Sequence, residues 1–169
     1  MKRLLVVLSI VLLACTGTFA QTNAKLGYIN SAELLSIMPG ADTVETKLNE
    51  HRESLAQTIQ TMYGEYQNKV QDYQNNVATM SQIIRQTKEK EIQDLERRIQ
   101  EFQQSADQSF ANKRAELLSP LLNRAKEAID AIANDNGYTY IFDTSIGALI
   151  YFEKGDNIMP LVKAKLGIE

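Results

Sequence analysis

The chain has 169 residues, 23% of them charged, a formal net charge of -3, one cysteine and one histidine. A chain that is acidic overall lacks the basic stripe that phosphate neutralisation requires, which argues against nucleic acid as a partner. Cys15 alone forms no disulfide framework, and Cys15 with His51 is too little for a zinc-type cluster.

The first predicted element is a targeting segment. Lys2 and Arg3 precede an apolar run from Leu4 to Ala14, and small residues lead to Thr18-Phe19-Ala20. The run is far shorter than the roughly 20 apolar residues of a membrane span, so it reads as a secretory signal cleaved after Ala20, which implies export. The alternative is a lipoprotein signal in which Leu12-Leu13-Ala14 precede an acylated Cys15. Cleavage after Ala20 removes Lys2 and Arg3 but no acid, so the exported chain is more acidic still.

Next come a short strand in Lys25-Leu26-Gly27-Tyr28-Ile29-Asn30-Ser31 and a short helix, Ser31 to Ile37, with Asn30 and Glu33 spaced as a capping pair. Pro39-Gly40 separates it from a long amphipathic pattern that opens at Asp42, which with Glu45 three residues on is read as a capping pair. Val44, Leu48, Leu55, Ile59, Met62, Tyr66, Val70, Tyr73, Val77 and Met80 follow steps of three, four and seven. After Ser81 a second stripe runs through Ile92, Leu95, Ile99, Phe102, Ala106 and Phe110 to Leu121, Ala128 and Ile132, and stops at Gly137. Two such helices joined by a brief interruption predict an antiparallel hairpin. Twelve of the thirteen Gln lie between Gln57 and Gln108, so the outer surface is polar and largely uncharged, as expected of a solvated projection. Gly64 and Pro120 interrupt these helices and are the candidate hinges, Pro120 predicting a kink or a break.

Residues 138–152 hold five of the twelve aromatic residues. They predict a hairpin of two strands, Tyr138 to Asp143 and Ala148 to Glu153, apolar on both faces and therefore needing cover. A last helix follows Asp156-Asn157, with Pro160 in its first turn. A body this small is marginal alone, so Leu26, Tyr28, Ile29, Tyr140, Ile141, Phe142, Leu149, Ile150 and Phe152 are assigned to an oligomer core. The predicted organisation is a signal (1–20), a β/α body (21–41 and 120–169) and an arm (42–119) with its tip near 79–84. The fold class is α+β, mostly α. No glycine-rich phosphate loop, nucleophile elbow or isolated acid–base pair is found, so neither an enzyme nor a cofactor is predicted.

This arrangement resembles the Skp, or OmpH, family of periplasmic chaperones. The resemblance rests on the "LGYIN" strand, the Gln-rich hairpin, "LLSPLLNRAKEAIDAIANDNGYTYIFD" and the terminal "DNIMPLVKAKLGI". It implies a homotrimer whose β body carries three helical arms around a cavity. Unfolded outer-membrane β-barrel proteins are held there without ATP. The acidic chain departs from the better known basic members and argues against a lipopolysaccharide site. Asn157 and Met159 stand where Asp and Thr are expected, which weakens the cap of the last helix. Client-contact candidates on the outer arm are Met62, Tyr63, Tyr66, Tyr73, Val77, Met80, Ile83 and Ile84. Most of these also fit the helix–helix seam; Tyr63 lies off that stripe, and Ile83 and Ile84 sit near the tip. The alternative is a structural envelope coiled-coil scaffold, anchored if Cys15 is lipidated.

Overall fold

The computed structural model describes residues 24–151 and 155–168. The predicted signal segment, Cys15 and Phe152 lie outside the described residues.

Strand β1, Leu26–Ile29, leads into helix α1, Ser31–Ile37, whose start is capped where Asn30 Oδ1 accepts the Glu33 amide at 3.1 Å. The arm consists of α2, Ala41–Asn76, and α3, Gln82–Asn136. At 1.5 Å per residue they are about 54 and 82 Å long. Helix α2 begins one residue before the expected Asp42, because Gly40 adopts a left-handed conformation (φ 101°) and turns the chain directly into the helix. Asp42 is thus not the cap; it sits in the first turn, where its charge still complements the helix dipole. At the far end Val77 to Met80 form the turn, and Ser81 Oγ caps α3 by accepting the Ile84 amide. Gly137, at φ 67°, ends α3.

Helix α3 passes through Pro120 unbroken, so of the kink or break expected there the break does not occur. The proline ring lies on the exposed side, while Leu121 beside it is buried, so packing holds the helix across the missing amide hydrogen bond.

The body is a three-stranded sheet in the order β2-β1-β3, with β2 at Tyr140–Asp143 and β3 at Asp156–Asn157. Both outer strands run parallel to β1. This corrects the predicted hairpin. Residues 148–151 form no strand, and β2 pairs with the start of the chain through Leu26–Tyr140 and Tyr28–Phe142. The local cause is visible at Asp143, whose Oδ1 accepts the Ser145 amide at 2.9 Å and turns the chain aside. The Thr144 amide meanwhile bonds Ile29 O at 2.9 Å, extending the ladder with β1.

Helix α4, Met159–Leu166, closes the body. Asn157 Oδ1 accepts the Met159 amide at 3.0 Å, so the asparagine still satisfies a donor at this helix start. Ile29, Leu34, Met38, Leu121, Ala125, Ala128, Ile132, Ile158, Met159 and Val162 form one core between the inner face of the sheet and α1, α3 and α4. The fold is α+β, mostly helical, with a long hairpin arm rooted in a small β body.

Candidate functional site

The arm is built on a seam. His51, Leu55, Ile59, Met62, Tyr66, Val70 and Tyr73 of α2 and Val77 just beyond it are all half-buried, while Leu95, Ile99 and Ala106 of α3 are buried. The antiparallel register is fixed by cross-contacts whose numbers rise on one helix as they fall on the other. His51 Nε2 lies 3.1 Å from Ser109 Oγ, Lys69 Nζ 2.9 Å from Glu91 Oε2, and Lys88 Nζ 3.0 Å from Asp72 Oδ2. The Arg52 guanidinium also lies over the Phe110 ring at 4.9 Å. These ion pairs are exposed and stabilise little individually, but they mark register.

They also set protonation. The hydrogen bond from Lys88 holds the Asp72 carboxyl below its ordinary range, that from Lys69 does the same for Glu91, and Lys88 is raised in turn by Asp72. Tyr73 donates its hydroxyl to Glu89, which pushes the phenol upward.

Met62, Tyr66, Tyr73, Val77 and Met80 are therefore half-buried seam or turn residues. Tyr63, Ile83 and Ile84 differ: they are 42%, 77% and 49% exposed. Tyr63 accepts a hydrogen bond from Gln103 Nε2 at 3.2 Å, and the two isoleucines project near the turn. The hinge candidates separate as well. A Cβ added at Gly64 meets nothing within 4 Å, so packing does not require a glycine there.

The body presents a second surface. Because side chains alternate along a strand, Leu26, Tyr28, Tyr140 and Phe142 share the outer face of the sheet, and Gly27, Ile29, Ile141 and Asp143 the inner one. Ile29 is buried in the chain's own core, with Ile141 packed against it. On the outer face Tyr140 is 61% exposed, and its ring stacks on Phe142 with centroids 6.3 Å apart. Beyond the strand Leu149 is half-buried, while Ile150 and Tyr151 are 99% and 71% exposed.

Sequence reading passed over the clamp that aligns this face. Asp143 accepts from the Ser31 amide at 3.1 Å, from Ser31 Oγ and from the Ser145 amide. Burial acts to raise its pKa, but these donors outweigh it and hold the carboxyl at about 2. The signal was a lone acid closing an apolar strand. Lys25 forms the corresponding tie at the other end, with Nζ donating to Asn136 O at 3.1 Å and lying 4.1 Å from the centre of the Tyr138 ring.

Among the described residues no group of three or more His, Cys, Asp or Glu could hold a metal ion, and no helix is long and apolar enough to cross a membrane. The sequence pattern of the family described as "Outer membrane protein (OmpH-like)" matches residues 25–166. "Chaperone protein Skp" of Photorhabdus laumondii is 27% identical over 158 residues, covering 94% of each chain. The protein of the same name from Vibrio cholerae is 26% identical over 141 residues, covering 83% of this chain and 82% of its own. A solved OmpH-like protein from Caulobacter crescentus superposes with a TM-score of 0.69 at 13% identity, covering 89% of this chain and 88% of that one, a likeness of fold. With the match running from β1 to the last turn of α4, the chain belongs to the OmpH-like family.

Proposed function

We propose that this protein is an ATP-independent periplasmic holdase that keeps unfolded outer-membrane β-barrel proteins from aggregating in transit. The observation that carries the reading is the arm itself: a two-helix lever anchored at one end, with exposed apolar residues near its free end. Relatives named as chaperones, matched over most of the chain, support it, and they support a non-enzymatic role.

Several arms acting together achieve grip without tight burial. Each contact is weak, so release stays possible, while a second arm binds at high effective concentration. In this reading the chain is a homotrimer. The outer sheet face of Leu26, Tyr28, Tyr140 and Phe142, continued by Leu149 and Ile150, is the subunit interface. Tyr63, Ile83 and Ile84 are apolar client contacts. Residues 1–20 are the export signal.

Dilution of a urea-unfolded outer-membrane β-barrel protein into buffer without nucleotide, followed by light scattering, tests the reading. Equimolar assembled protein should suppress aggregation, and serine at Tyr63, Ile83 and Ile84 should weaken the suppression. Aggregation undiminished by the unaltered protein would refute it.

A further inference from the structure

Solvation alone does not sort one kind of polar residue from another around a helix, yet the arm is sorted. All twelve glutamines between Gln57 and Gln108 are exposed. Only Gln103 and Gln108 place their side-chain amides on a partner among the described residues, Tyr63 and Asn112 respectively.

At 3.6 residues per turn, Gln57, Gln60, Gln67, Gln71 and Gln74 fall within an arc of roughly 100° on α2. Gln82, Gln86, Gln93, Gln100 and Gln104 occupy an arc of roughly 40° on α3 by the same measure. Both stripes lie well away from the seam. On α2 the stripe is on the flank that carries Tyr63, and on α3 on the flank that carries Gln103. Those two side chains touch across the seam, so the stripes share one broad face.

Charge lies elsewhere on α2. Between Ser54 and Asn76 the only charged residues are Glu65, Lys69 and Asp72, and all three are on the opposite flank, where Lys69 meets Glu91. On α3 the stripe is interspersed with Glu89, Glu96 and Asp107, so the uncharged strip belongs mainly to α2.

A primary amide both donates and accepts, as a peptide group does, and carries no charge with which to select a client by sign. An unfolded β-barrel chain in water offers a continuous row of backbone N–H and C=O groups that no strand partner yet satisfies. The chemistry of the strip complements that backbone more closely than it complements a charged or lipid surface. We infer that the glutamine strip of α2 is a client-binding surface that recognises the backbone of an extended, unfolded polypeptide, independently of the client's side chains. This rests on the holdase reading and adds to it a polar contact beside the apolar ones. A surface of this kind explains how an acidic arm could hold segments of either charge.

The test uses dye-labelled, urea-unfolded outer-membrane β-barrel diluted into the assembled protein, with affinity read from fluorescence anisotropy. One variant carries alanine at Gln60, Gln67, Gln71 and Gln74, and a second carries glutamate at the same four positions. A control carries glutamate at Ser54, Thr58 and Thr61, which are exposed outside the strip, toward the flank of Glu65 and Asp72. Circular dichroism and native mass establish that each variant keeps its helices and assembly. Both strip variants should bind about tenfold more weakly or worse, as several amide hydrogen bonds are lost together, and the control should match the unaltered protein. Alanine variants that bind as well as the unaltered protein would overturn the inference while leaving the holdase reading intact. Failure of the unaltered protein to bind would instead overturn the holdase reading, and this inference with it.

Discussion

At the scale of single residues, Asp143 is where the body is tied together. Its carboxylate receives three hydrogen bonds, two of which join the end of β2 to the start of α1. The folded-state pKa is lowered from the ordinary 3.8 to about 2, so the contribution of the carboxylate is complete above the unfolded value. It is lost as pH falls through the folded value. Asp143→Asn should therefore lower unfolding free energy by about 1 kcal/mol at neutral pH. The difference from the unaltered protein should shrink between about pH 4 and pH 2, and thermal melts across that range check it. The two glycines respond oppositely to alanine. At Gly64 the space is open and the backbone helical, so Gly64→Ala should stabilise the arm by about 1 kcal/mol and slow amide exchange around it. At Gly27 a Cβ would lie 3.1 Å from Ile158 and 3.2 Å from Tyr138, so Gly27→Ala should cost about 1 kcal/mol or more.

At the scale of elements, the arm and the body are stabilised separately. Leu95 and Ile99 are buried against α2, far along the chain from the core around Leu34 and Val162. Leu95→Ala should open the arm, at a cost of about 2 kcal/mol or more, while amides of β1 and α4 keep their protection in hydrogen exchange. The helices were legible in the sequence because their signal is local: the Val44-to-Val77 stripe repeats often enough to fix type and face, and Asn30, Ser81 and Gly137 mark ends. The sheet was less legible. Tyr140-Ile141-Phe142 announces a strand but not its neighbour, and parallel pairing to Leu26-Gly27-Tyr28 depends on the whole arm returning to its root. Asp156–Asn157 is a polar pair with no strand signal, held by the β1 backbone, whereas the apolar Ala148–Tyr151 has no strand beside it among the described residues. For the candidate site, Tyr63 could be set apart because it falls off the stripe, and Ile83 and Ile84 because they sit near the tip. The division of glutamine from charge becomes a face only once the hairpin register is known.

At the scale of the whole molecule, one chain leaves two kinds of surface uncovered. The outer sheet face, with Tyr140, Phe142 and the adjoining Ile150, is large, aromatic and rigidly backed, which suits permanent burial between subunits. The arm surface has smaller apolar points among amides, which suits contacts that form and release. A trimer joined at the first would carry three copies of the second on levers long enough to surround an unfolded chain. Native mass spectrometry of residues 21–169, alone and after rapid dilution of an unfolded outer-membrane β-barrel protein, tests this account most directly. The account predicts a trimer that acquires one unfolded client and ignores the same barrel once folded. A stable assembly that acquires nothing would contradict it and leave the arms as struts of a structural scaffold.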